Sequence, residues 1–167
     1  ALLLGGARLA ETKVLRALLF RRAAATGPES TDGMDREQEI AHLVAHPELV
    51  PWRTELPYVA EDERVVGAWL DRLAPDLVHV HDVFMLGVAA AHVDRAAAAG
   101  RTVRLVYDAH EYLPGLATVP PRTIGAFVAL EREFLPRTDA VVTVSPLLAD
   151  WLRRDNDGAV DPAVVLN

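Results

Sequence analysis

The sequence predicts an open, doubly wound α/β sheet with mainly parallel strands, and three observations carry that expectation. Short β-rich runs alternate with helical stretches between Ala74 and Asn167. In such a rhythm each helix is the crossover that returns the chain to the same strand direction. The strands are short and near-continuously apolar, as in Ala140-Val141-Val142-Thr143-Val144, which suits a sheet covered on both faces. Residues that end or open helices, such as Ala74-Pro75, Gly100 and Ser145-Pro146, fall between the segments.

Taken in order, Asp76 to Val80 reads as a strand, followed by an Ala- and Val-rich helix from about Leu86 to Ala99 that Gly100 caps. Thr102 to Tyr107 is the next strand. A loop containing Pro114, Gly115, Pro120 and Pro121 leads to a helix from about Arg122 to Leu135, which Pro136 and Asp139 break. Ala140 to Val144 is a third strand. Ser145 then supplies a hydroxyl N-cap and Pro146 the first helical position of a helix running to about Arg154. Ala163 to Leu166 is the fourth strand.

The first half reads less clearly. Ala1 to Leu4 suits a strand entering Gly5-Gly6, with a helix from about Arg8 to Ala25 and a loop from Gly27 to Gly33. Met34 to Ala45 looks helical. Pro47 to Val59 holds three prolines and reads as extended or irregular. Glu61 to Leu73 is expected to be a helix, with Val65, Val66, Trp69, Leu70 and Leu73 spaced as a buried stripe.

Bulk composition narrows the function classes. The chain has 167 residues, 51% hydrophobic and 25% charged, which fits one domain with one sizeable core. It has no cysteine, so neither a disulfide framework nor a thiolate metal site can form. That fits the expected cytoplasmic location. A net charge of −7 repels phosphate backbones and argues against nucleic acid as a partner. No apolar run approaches the roughly 20 residues that cross a bilayer. The opening Ala1 to Leu4 lacks the basic flank and the length of a signal peptide. The chain starts without Met and is expected to be a piece of a longer protein.

In open α/β sheets, ligands bind beyond the carboxyl ends of the strands, so the residues there are the candidates for chemistry. His81 and Asp82 follow the first clear strand, Asp108, His110 and Glu111 the second, Ser145 the third and Asn167 the fourth. For Ser145 capping is the favoured role, with ligand contact in addition, whereas for Asp82 capping or turn formation and function stand level. His79 and His81 are two apart on one extended segment and point to the same face. His79, within the apolar run, is expected to be a core histidine. His81 and His110 stand where an imidazole can act as base or donor. His42, His46 and His92, on helical segments, are expected at the surface.

The run Pro75-Asp-Leu-Val-His-Val-His-Asp82, with Val106-Tyr-Asp-Ala-His-Glu111, Asp139-Ala-Val-Val-Thr-Val-Ser145 and Val164-Val-Leu-Asn167, resembles the N-terminal domain of retaining GT-B glycosyltransferases, the family-4-like type. Glu131 and Glu133 suit the same pattern. The resemblance covers about Ala74 to Asn167, and it implies one Rossmann-like domain holding the acceptor, with a nucleotide-sugar donor held by a second domain. In that reading residues 1–167 form the acceptor half, inactive alone, and the donor-binding domain is absent. His110 and then His81 become the catalytic candidates, with Asp82, Glu111 and Ser145 as acceptor-binding residues. Gly5 and Gly6 resemble the early glycine loop that approaches the donor diphosphate. No cofactor or metal is implied. The acceptor is a sugar, a lipid-linked molecule or another small molecule, and the parent enzyme is compatible with peripheral membrane association.

Two other classes compete. One is a non-catalytic sugar- or protein-binding domain on the same fold; half of a sugar-nucleotide epimerase is a near neighbour of the transferase reading. The other is a metal-dependent hydrolase using His79, His81 and Asp82, Asp108 or His110. A (β/α) barrel with such a His-x-His strand end needs about 250 residues, more than this chain has. A core-facing His79 would also remove the ligand set.

Overall fold

The structure is a computed structural model and describes residues 33–166. Ala1–Leu4, Gly5, Gly6, the helix expected at Arg8–Ala25 and Asn167 lie outside the described residues.

Four strands form one sheet: β1 (Leu77–His81), β2 (Arg104–Ala109), β3 (Ala140–Thr143) and β4 (Ala163–Val164). They lie side by side in sequence order and every pairing is parallel. The connections are helices α5 (Val83–Ala98), α6 (Pro121–Phe134) and α7 (Pro146–Asp155). The α/β class and the parallel, Rossmann-like sheet expected from the sequence are present. Strand order does not reverse among the described residues.

Right-handed crossovers between successive neighbours place all connecting helices on one face, and the strands alternate accordingly. Val78, Val80, Leu105, Tyr107, Ala109, Val141 and Thr143 are buried, whereas Leu77, His79 and His81 between them are exposed. The near-continuous apolar composition of Ala140 to Val144 had suggested cover on both faces. On that second face Ala140 is exposed while Val106, Asp108 and Val142 are half-buried, so among the described residues its cover is partial. The face under the connecting helices is the covered face, and the opposite one, which carries His79 and His81, is the open face.

Helix ends follow their chemistry. Gly100 takes φ +74° after α5, and the Arg101 N–H donates to the Ala96 carbonyl at 2.9 Å, the backbone pattern that lets a left-handed residue close a helix. Ser145 caps α7 by accepting from the Leu148 N–H at 3.2 Å, with Pro146 at the first helical position. Upstream, α1 (Arg36–Ala45) opens on a reciprocal capping box between Asp35 and Gln38. It packs against α6 so closely that a Cβ on Gly125 would stand 3.1 Å from both Leu43 and Val50.

The segment from Pro47 to Val59 is not irregular. It forms a short 3-10 turn (Pro47–Leu49), α2 (Trp52–Glu55) and the start of α3 (Tyr58–Asp62). Its prolines explain this: Pro47 opens the turn, and Pro51 and Pro57 immediately precede the helices, positions where the missing N–H costs nothing. The stripe expected along Glu61–Leu73 is also corrected. Val65, Trp69 and Leu73 are 55%, 56% and 69% exposed. A π-helical stretch, Glu63–Gly67, sits between α3 and α4 (Ala68–Leu73). The wider turn shifts the helical register, so that Gly67 is the buried residue there.

Candidate functional site at the strand ends

Parallel register brings the predicted residues together. His79 pairs with Val106 and His81 with Asp108 across β1 and β2. Side chains alternate along a strand, so His79, His81 and Asp108 share the open face. His110 follows two residues after Asp108. The His81 Nδ1 and His110 Nε2 atoms are 2.9 Å apart, with the rings stacked at a 5.2 Å centroid separation. Asp108 Oδ2 lies 3.2 Å from His81 Nδ1, 3.3 Å from His110 Nε2 and 3.6 Å from His79 Nε2. One carboxylate oxygen thus faces three imidazoles.

His79 is therefore not a core histidine. Its side chain is 43% exposed, because the strand period sends it to the same open side as His81. Asp108 was legible as a strand-end residue, but its position at the centre of the cluster was not. The missing signal was pairing parity: once β1 and β2 pair with His81 opposite Asp108, both must face the same way.

Asp82 directly precedes α5 at φ +66°, ψ 152°, a backbone region that residues with a Cβ occupy at a cost of about 1–3 kcal/mol. Its N–H donates to the Asp108 carbonyl at 3.3 Å, continuing the β1–β2 pairing past the strand. Its side chain does not cap α5. Asp82, His110 and Glu111 line a small cleft together with Phe84, Tyr107 and Leu113. Ser145 lies just beyond the carboxyl end of β3, where its hydroxyl is engaged in capping α7. Gly5 and Gly6 lie outside the described residues.

The two glutamates of α6 point elsewhere. Glu131 is buried beneath the covered face and accepts from the Tyr107 hydroxyl at 2.7 Å. Burial pushes its carboxyl up to about 7, opposed by the Tyr107 hydrogen bond and by Arg132. Glu133 sits at the surface, accepting two bonds from Arg53 and one from Trp52. These bonds, Arg53 first, hold its carboxyl below the usual range against a smaller opposing effect of burial. His92, expected at the surface, is 1% exposed. Its Nδ1 lies 2.6 Å from Asp71 Oδ1, while its Nε2 is buried without a partner. The Ala-rich sequence of α5 gave no polar face from which its inward side could be told.

A larger cavity of about 340 Å³ opens between α2 and the α5–α6 pair, lined by Trp52, Arg53, Glu133 and Arg137 among others. None of the residues predicted for the site lines it. No helix of the described residues is long and apolar enough to cross a membrane.

Comparison with known protein families matches residues 21–166 to Glycosyltransferase Family 4. No curated protein and no solved structure gives a significant match.

Proposed function

The chain belongs to glycosyltransferase family 4, and from that premise we propose that it is the acceptor-side half of a retaining GT-B enzyme. The observation that carries this reading is the convergence of His81, Asp108 and His110 at the carboxyl ends of β1 and β2, where parallel α/β sheets bind ligands.

Each residue has a task consistent with its surroundings. The carboxylate of Asp108 orients the two imidazoles, and His110 presents a ring nitrogen to a hydroxyl of the sugar substrate. A hydrogen bond to a group that gains charge in the transition state lowers the barrier more than it strengthens ground-state binding. His81, stacked on His110, restricts that ring. Asp82 and Glu111, at the adjoining cleft, accept from further hydroxyls of the acceptor. Ser145 offers its hydroxyl at the β3 end of the same rim while capping α7.

The donor diphosphate requires positive charge or clustered N–H donors. The rim of the described residues carries carboxylates and imidazoles; in this reading the nucleotide sugar therefore belongs to a second domain, with Gly5-Gly6 approaching its diphosphate, and the chain alone is taken to be inactive. The test is a transfer assay over a panel of nucleotide sugars, on the product of the complete reading frame and on the 167-residue chain. Transfer by the complete product and none by the chain is expected. Turnover by the chain alone would overturn the half-enzyme reading. Absence of transfer by the complete product would overturn the transferase and favour a binding domain.

A further inference from the structure

We infer that His79, His81 and Asp108 form a binding site for a first-row divalent transition-metal ion, with zinc the best fit. One ligand atom from each of these residues lies within 4.8 Å of the other two. Ligands bound about 2.0–2.1 Å from a tetrahedral zinc ion stand about 3.3 Å from one another. The distances from Asp108 Oδ2 to His81 Nδ1 and His79 Nε2, 3.2 and 3.6 Å, straddle that value.

The donor chemistry points the same way. Two imidazole nitrogens and a carboxylate oxygen suit zinc and its neighbours, whereas magnesium and calcium prefer oxygen alone. Three protein ligands also leave a coordination position for a further donor. The His110 Nε2 atom stands 2.9 Å from His81 Nδ1 and 3.3 Å from Asp108 Oδ2, next to that position.

Hydrogen bonding alone serves this cluster poorly. A contact between two ring nitrogens needs one of them to donate and the other to accept. Three rings compete for the single oxygen Asp108 Oδ2, and a divalent cation would take the lone pairs of His79, His81 and Asp108 together. The scaffold is rigid: both histidines and the aspartate stand on paired strands, with the spacing set by the β period and the β1–β2 register. His79 and His81 are exposed, so an ion reaches them from solvent.

The inference does not depend on sugar transfer, and its test involves no sugar. Metal-stripped chain is titrated with zinc against a chromophoric chelator. Binding of about one zinc per chain is expected. Affinity should fall by about ten-fold or more in His79→Ala and in Asp108→Asn, and excess magnesium should not displace the ion. His46→Ala is the control, because His42 and His46 form a separate exposed ring pair at 4.8 Å; it should bind zinc as the parent does. Absence of zinc binding by the parent chain would overturn the site, as would unchanged affinity in His79→Ala. An independent readout uses the unaltered protein: nitrogen NMR of the histidine rings should show zinc moving the signals of His79 and His81. Shifts confined to His42 and His46 would equally overturn it.

Discussion

Tyr107 and Asp108 are neighbours on one strand, yet they belong to opposite worlds. The Tyr107 side chain enters the covered face, where its hydroxyl meets the buried Glu131 carboxylate. The Asp108 side chain turns to the open face, where it meets three histidines. On the covered face a polar group gains from a fixed partner, because an unpaired one costs the full desolvation penalty. On the open face the polar groups meet one another at the rim where the proposed function places the substrate. The β period thus separates buried polarity from the polarity of the proposed site one residue at a time.

The largest contrast concerns packing. Leu105, on the covered face, is fully buried, and Val106 beside it is only half-buried on the open face. Leu105→Ala should lose about 2–5 kcal/mol in denaturant unfolding, whereas Val106→Ala should lose about 1 kcal/mol or less. Equal losses would mean that the open face is packed as tightly as the covered one.

A second test uses the Glu131 carboxyl. Its value rises from an ordinary one to about 7 on folding, so between these values the folded state binds more protons than the unfolded state. The contribution of this group is therefore fully present at low pH and is lost as pH rises through about 7. Glu131→Gln removes that titration while retaining an acceptor for Tyr107. Relative to the variant, the parent chain should lose on the order of 2–3 kcal/mol between pH 4.5 and pH 8. Parallel stability curves for the two proteins would show that this carboxyl is not held in a dry site.

The smallest effect is at Asp82. Its φ of +66° suits glycine, so Asp82→Gly should relieve about 1 kcal/mol of strain, partly offset by the extra freedom glycine gives the unfolded chain. A gain in thermal stability with weaker sugar binding would identify strain retained for function. A loss of stability would mean that the partners of the Asp82 carboxylate outweigh the strain.

These contrasts also show what could be read in advance. The helix ends at Gly100 and Ser145-Pro146 were legible because caps are local chemistry, and β1, β2 and β3 because apolar runs with polar ends mark strands. Residues 63–73 were misread because a π turn shifts the helical register without a local signature. His79 was assigned to the core because its neighbours in sequence are apolar. Strand alternation, which also places it beside His81, outweighs that composition. The cluster around Asp108 required knowing which residue of β2 stands opposite His81, and single-strand patterns do not contain pairing register.

The most direct test of the open face as the site of chemistry is sugar transfer by the complete protein carrying His110→Ala. The kcat should fall by about 100-fold or more while thermal stability stays within about 0.5 kcal/mol of the parent, since His110 is half-buried at a strand end. An unchanged kcat at saturating donor and acceptor would contradict the account and move the chemistry away from the β1–β2 rim.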